Sequence, residues 1–530
     1  MGDPKVGTGR DRRWIWIGAF AVCAGLVVVR NLVDLSGSPP GLYVDEASIG
    51  YNAWAVAHFG VDEHGIPVPL FFEAFGEYKN PVYIYALSGL LRLLPLTAAV
   101  ERLPAAIFGL AVVGFLTAAA WRLTGSRVIT LGTLVLTALT PWVVIESRVG
   151  FETISMVALL AAALWCLAGK QPTPRQFGLA GVFLAIAIYG YTTARLEILV
   201  LAIALGIAWG LARAPGWWRA LVPVVAGYAV LGVYWLLNPG ALTGRFGLIS
   251  IWADGAPLNV VADRFLTNYV SYFSPGFLFM QGDANPRQNT EIGGMLLWVT
   301  APLLLAGILV CWQRRREPLV RFLIAAILLA PIAAALTNNG TPHALRSSVM
   351  LPFLIVLAFL GADGIRLALR GRAGLGRAVT AVLGLGLLAQ GAVYTVNLYA
   401  VYPHGAAADF DTGEIAAITT ARAVANGHHV YLSNTLDQPY IEACFALVPR
   451  PPSRPVTDNA TPVLEAFGLQ VVSPGSVEAS ASSGDMLVLT QYDLLPPSGW
   501  LRVDAERPPP NLIDLFTPNP PLISIYRFGG

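Results

Sequence analysis

Long apolar runs recur along the chain and limit the fold before anything else does. A helix that crosses a bilayer takes roughly 20 apolar residues. About eleven segments approach that length: 14–33, 100–121, 128–146, 153–169, 176–190, 196–211, 217–237, 292–312, 318–336, 343–365 and 376–398. In hydrocarbon every backbone polar group must find its partner inside the segment, so these runs read as helices. Hydrophobic residues are 55% of the chain and charged residues 12%, a balance foreign to soluble domains. The fold class is therefore an all-α polytopic membrane protein with about eleven transmembrane helices. The fifth and sixth runs are short and joined by "YGYTTAR", which reads as a re-entrant or broken pair. The first run, from Trp14, is too long for a signal peptide and lacks a small-residue cleavage site, so it reads as a retained anchor.

Basic residues set an orientation. Arg10, Arg12 and Arg13, Arg122 and Arg127, Lys170 and Arg175, Arg213 and Arg219, Arg314 to Arg316, and Arg366, Arg370, Arg372 and Arg377 fall in alternate loops. Those loops are cytoplasmic by the positive-inside rule, and so is the N-terminus. The loop 34–99, the turns "ESRVGFE" and "YGYTTAR", the loop 238–291, "TNNGTPHALR" and everything after 399 are then external, in the periplasm or outside the cell. A net charge of +2 with scattered arginines gives no basic stripe for nucleic acid. Cys23, Cys166 and Cys311 lie in apolar runs and Cys444 in a polar one, so neither a disulfide framework nor a CxxC site is read.

Composition changes after residue 398, with "PRPPSRP" and "ERPPPN", β-like "HHVYLSN" and "DMLVLTQ", and helix-like "TPVLEAFG" between them. The chain thus divides into a membrane module, 1–398, carrying the external loop 34–99, and a small external α/β domain, 399–530. That domain either packs over the external face or contacts an acceptor.

The stretch "GLYVDEASIGYNAWAVAHFG" (41–60) follows a Pro-Pro-Gly break and reads as a helix with Asp45 near its N-cap and Gly60 at its end. Tyr51, Trp54 and His58 share one stripe, as on a helix lying along the membrane surface. Two readings of Asp45 and Glu46 stand. Acids at a helix start are favoured by the orphan N–H groups alone, yet a carboxylate there is also well placed as a base for a lipid-borne substrate. Lys79 either snorkels or contacts phosphate. Arg148 and Glu152 have the spacing of a helical i,i+4 ion pair. Lys79, Arg195, Arg287 and Arg346 are external cations suited to an anion; His343, three residues before Arg346 at a helix start, shares its face. For each cation alone, capping or snorkelling is the plainer account.

Asp62, Glu63 and His64 in "VDEHG" look like ligands. Three successive residues cannot all face one ion, and Gly65 and Pro67 mark a turn, so no metal site is assigned and a divalent ion stays the lesser reading. The pair His428 and His429 is weaker still, and the sequon at Asn459 is followed by proline, so no glycan is expected there. No other cofactor is expected.

The order of "VDEASIGYNA", "EYKNPVYIY", "ERLPAAIFGL" and "SRVGFE" resembles the GT-C glycosyltransferases, the group of the protein O-mannosyltransferases and the lipid A aminoarabinose transferase. The resemblance covers roughly residues 14–400. It implies a sugar donor on a polyprenyl phosphate, an acceptor hydroxyl on a lipid, glycan or protein, and transfer on the external face. Asp45 falls on the family's proposed base, with Glu46 as its partner, and Glu152 stands where relatives often have Asp. Aminoarabinose transferases have acid, lysine and proline in direct succession where this chain has Glu77, Tyr78, Lys79, Asn80 and Pro81. Lys79 would share phosphate binding with Arg195, Arg287, His343 and Arg346, and Tyr51, Glu77, Tyr78 and Arg148 would line the pocket.

Such chemistry needs a carboxylate to take the acceptor proton and cations to stabilise the leaving phosphate. The reading is an inverting membrane glycosyltransferase. The alternative is a transporter or flippase of lipid-linked sugars, against which stand helix centres nearly free of charge and acids gathered on one side. A scaffold without activity would leave the Asp-Glu loop without purpose.

Overall fold

The computed structural model describes residues 9–458, 460–479, 481–496, 498–509 and 520–529; the Asn459 sequon lies outside them. The chain divides into two compact units. One comprises Met1–Val33, Ala106–Ser147 and Thr153–Tyr394, and the other Asp34–Ala105, Arg148–Glu152 and Thr395–Gly530. The boundary expected at residue 399 is thus too simple: the loop after the first helix and the turn 148–152 join the C-terminal unit.

The protein is a multi-pass membrane protein. Among the described residues seven helices are long and apolar enough to cross a bilayer: Arg13–Leu32, Ala98–Thr124, Ala194–Leu211, Trp217–Leu237, Pro318–Ala335, Met350–Ala368 and Ala373–Ala400. The other four expected segments form shorter apolar helices, Arg127–Leu139, Thr153–Leu167, Pro174–Ala187 and Thr300–Gln313. The third run shows why a continuous apolar stretch can give a short helix. Thr140 precedes Pro141 and is held at ψ 121°, outside the helical region, and a new helix starts at the proline. Leucines such as Leu26, Leu236, Leu305 and Leu309 are exposed, whereas Thr133, Thr137, Ser155 and Thr300 are buried. An apolar exterior around polar interior positions suits lipid rather than water.

In the C-terminal unit, helix α1 (Val44–Phe59) is followed by strands β1 (Phe72–Ala74) and β2 (Glu77–Lys79) and by helix α2 (Pro81–Leu91). The two strands form an antiparallel hairpin pairing Phe72 with Lys79 and Ala74 with Glu77. Its two-residue turn, Phe75 and Gly76, has φ of 54° and 73°, the signs of a type I′ turn, which matches the strand twist.

The remainder builds the expected mixed structure from α3 (Glu414–Val424), β3 (Val430–Ser433), α4 (Pro439–Leu447), α5 (Ala460–Ala466), β4 (Leu469–Val472), β5 (Met486–Thr490), β6 (Trp500–Glu506) and β7 (Ile523–Phe528). The sheet order is β4-β3-β5-β7-β6, with β3 parallel to β4 and β5 and the last three strands antiparallel. Alternation buries both faces: Val430, Leu432, Met486 and Val488 pack with Ile418 and Ala421, while Tyr431, Leu487 and Leu489 pack with Trp500 and Tyr526.

Candidate active site in the C-terminal unit

Helix α1 starts where the sequence indicates but is capped differently. Tyr43, extended at φ −77° and ψ 163°, is the N-cap residue, and Gly60 closes the helix in the left-handed region at φ 72°. Asp45 is therefore the second helical residue, and its carboxylate caps nothing. Its Oδ1 accepts a hydrogen bond from Lys79 Nζ at 2.5 Å. Among the described residues Oδ2 has no partner, and a quarter of the side chain is exposed, against 3% for Lys79.

Lys79 is held by geometry that the sequence pattern did not disclose. On a strand, residues two apart share a face, so Glu77 lies 3.9 Å from the same ammonium, and the Phe75 ring centroid is 5.4 Å away. Burial works to lower the lysine's pKa, but Asp45, Glu152 and Glu77 carry it above its ordinary value, so it stays charged. It does not snorkel. Tyr78 points to the opposite face, paired across the hairpin with Glu73; burial and that glutamate raise its pKa. It therefore does not join Lys79.

Glu152 is buried and accepts hydrogen bonds from the backbone N–H of Asn80 and from Asn80 Nδ2, the latter at 3.4 Å. Burial pushes its carboxyl up to about 7, against the pull of Lys79 and Asn80. Asn80, the N-cap residue of α2, was not singled out in the sequence, though its place between Lys79 and the N1 proline marks it.

Glu46 departs from its expected role beside Asp45. Successive helical residues point roughly 100° apart, and Glu46 turns into the interior with no exposed surface. Its two oxygens accept from Arg102 Nε and NH2, each at 2.7 Å, and Oε1 also accepts from the Gly150 N–H at 2.7 Å. Arg102 donates further to the carbonyls of Leu35, Pro39 and Gly41, which accounts for all five of its N–H groups. This arginine, inside the quoted "ERLP", was missed because an arginine at the start of an apolar run looks like an interfacial anchor.

Arg148 is likewise structural. Its guanidinium donates to the carbonyls of Ser38 and Asp34, each at 2.7 Å, and to the Tyr399 hydroxyl at 3.2 Å. Residues 148–152 are not helical, so their spacing gives no shared helical face with Glu152. Tyr51 keeps its stripe with Trp54, ring centroids 5.9 Å apart, but it is buried and its hydroxyl donates to the Pro449 carbonyl at 2.8 Å. It is thus held against the segment around Pro449 within its own unit. Asp62 Oδ1 accepts from the His64 and Ile66 N–H groups, and Glu63 is held by Asn52, so "VDEHG" is the turn its glycine and proline indicate.

The other candidate cations lie in the membrane unit. Arg195 NH1 donates to the Leu242 carbonyl at 3.2 Å, and Arg287 sits in the turn after Asp283. His343 and Arg346 do not share a helical face: the helix is only Ala344–Ser347, with His343 outside it as N-cap residue. Arg346 turns back to Thr337 Oγ1 and the Asn339 carbonyl. His343 Nδ1 is 3.5 Å from Asp283, yet burial and the nearby Arg346 push its pKa down to about 3. It is therefore neutral at pH 7 and no cation.

No protein-family profile matches the chain, and no curated protein matches its sequence. Solved structures do. ArnT from Cupriavidus metallidurans bound to undecaprenyl phosphate is similar with TM-score 0.55 and 16% identity, over 89% of this chain and 93% of that one. Its apo state gives 0.54 and 16%, over 90% and 93%. The Archaeoglobus fulgidus oligosaccharyltransferase is a looser likeness, at 0.49 and 11% over 90% of this chain and 69% of that one. At such identity the likeness speaks for fold alone: this chain shares the overall fold of the Cupriavidus metallidurans ArnT structures.

Proposed function

We propose that this protein is an integral-membrane glycosyltransferase. It moves a sugar from a polyprenyl-phosphate carrier to an acceptor hydroxyl on the external face of the membrane, with inversion. The observation that carries the reading is the Asp45–Lys79 pair: a partly exposed carboxylate with one oxygen fixed by a buried ammonium and the other without a partner among the described residues. The free oxygen takes the acceptor proton as the new bond to the anomeric carbon forms. The bond from that carbon to the phosphate oxygen breaks, and its electron pair leaves with the carrier phosphate. One displacement inverts the anomeric centre.

Lys79 orients the base and offers its remaining N–H groups to the phosphate. Asp45, and after it Glu152 and Glu77, keep the ammonium charged, and Glu77 lines the same face. Arg195 and Arg287 are the further candidate cations, whereas Arg346, committed to Thr337 and Asn339, and His343, uncharged, lose that role. Glu46, Arg102 and Arg148 hold the loop that carries Asp45. The likeness to a structure holding undecaprenyl phosphate supports a carrier of that class. All eleven apolar segments, short helices included, would then cross or enter the bilayer.

The test is a panel of undecaprenyl-phosphate-linked hexoses and pentoses, offered to the purified protein with release of undecaprenyl phosphate as the readout. Release that requires Asp45 supports the reading. Movement of intact donor across vesicles without release would replace it with lipid transport.

A further inference from the structure

We infer that Asp411 is the N-terminal cap of α1 and the residue that positions Asp45 against Lys79, an inference that rests on reading Asp45 as the base. The first N–H groups of a helix lack partners within it; at this end Glu46 Oε2 accepts from the Tyr43 N–H at 3.4 Å, and the next N–H, that of Val44, needs an acceptor of its own. The N–H of Val44, the first residue of α1, donates to Asp411 Oδ2 at 3.2 Å, across 367 positions of sequence. A carboxylate there also meets the positive end of the helix dipole.

The neighbouring contacts show a fitted clamp rather than a chance approach. Asp411 is itself in the left-handed region, at φ 48°, a conformation that Asp tolerates better than most residues. A Cβ on Gly41 would meet the Phe410 carbonyl at 2.2 Å and Thr412 Oγ1 at 2.7 Å, so only glycine lets the segment 410–412 approach. The Phe410 ring lies edge-on to Tyr43, centroids 5.8 Å apart, and 5.8 Å from the Arg102 guanidinium. The first turn of α1 is thus set by residues of the C-terminal segment, and Asp45 is the next residue along. This gives the C-terminal region a task of its own, setting the start of α1.

The test uses the full chain in detergent with three substitutions, Asp411→Ala, Asp411→Asn and Gly41→Ala, and needs no substrate for its first two readouts. Hydrogen exchange of the amides of 43–46 should quicken about fivefold in Asp411→Ala, the usual worth of a lost cap, with β5 unchanged. Acetylation of Lys79 should quicken too, as its partner drifts. Asp411→Asn, whose amide oxygen accepts the same hydrogen bond, should restore both, and Gly41→Ala should mimic Asp411→Ala. On the donor panel, Asp411→Ala should lower kcat roughly tenfold with KM nearly unchanged. Exchange at 43–46 unaltered in Asp411→Ala, or equal damage from Ala and Asn, overturns the inference. If the exchange and acetylation results hold while Asp45→Asn stays active, the positioning stands and the reading of Asp45 as base falls instead.

Discussion

Lys79 Nζ and Asp45 Oδ1 stand 2.5 Å apart, the lysine buried and the aspartate open on one side. An asparagine at position 45 keeps an oxygen for Lys79 but takes no proton. Asp45→Asn should therefore fold normally and lose roughly 100-fold or more in turnover, the usual worth of a positioned base. Near wild-type release of undecaprenyl phosphate by this variant would send the search for the base to Glu77 or Glu152.

Glu46 should behave in the opposite way. Its carboxylate neutralises a fully buried Arg102, and removing one partner of such a pair commonly costs about 3–5 kcal/mol. Glu46→Gln should unfold at clearly lower temperature while the molecules that remain folded keep most of their turnover. A thermal shift no larger than that of Asp45→Asn would argue that Glu46 acts in the chemistry.

The Glu152 carboxyl, raised to about 7 by burial, should leave a mark on the pH profile. Below that pH it is protonated, Lys79 loses one of the anions around it, and its ammonium binds Asp45 more strongly, which weakens the base. Turnover should rise with pH through about 7, and Glu152→Gln should remove that inflection. Its persistence in the variant would assign the inflection to another group.

Stability should show a second pH effect. Glu414 is pushed up to about 7 by burial, with Asp437 adding to it, and Glu442 is raised well above its ordinary range by burial and then by Glu414. Both folded-state values exceed the unfolded value of about 4.3. Their contribution is therefore full below that value and is lost as pH rises, the share of Glu414 through about 7. The C-terminal unit should melt at higher temperature at pH 5 than at pH 8, and Glu414→Gln should flatten the difference. Equal slopes in both proteins would show that other groups set the dependence.

Single cysteines placed at Asp45 and Arg450 should label from the same side of the membrane, because both belong to one unit, and on the orientation expected from the basic loops that side is the external one. The native cysteines at 166, 311 and 444 are buried, so their background should be low. Labelling from opposite sides would exclude an external active site built on that unit.

What the sequence disclosed and what it hid follow from the range of the interactions. Apolar runs and the β-like "HHVYLSN" and "DMLVLTQ" are local patterns, and their helices and strands appear where the runs stand. The start and end of α1 were legible from Gly41 and Gly60, but its cap was not, since Asp411 lies hundreds of positions away. Nor does spacing reveal that Asp45 and Glu46 part company: that depends on Lys79 arriving on one side and Arg102 on the other. The hairpin had a signal in the alternation of "FEAFGEYK" around its glycine, overlooked because strands of three residues are too short to stand out beside an aromatic helix.

The β1–β2 hairpin also restricts how this loop can vary over evolutionary time. Lys79 faces Asp45 because it stands three residues past Gly76 in a strand whose side chains alternate. Losing or gaining one residue after that turn would bring Tyr78 or Asn80 to the lysine's place, whereas a change of two would keep the parity. Homologues that retain the lysine should therefore differ here by even numbers of residues, and an alignment opening a single gap between the turn and the lysine would superpose the wrong faces of the strand.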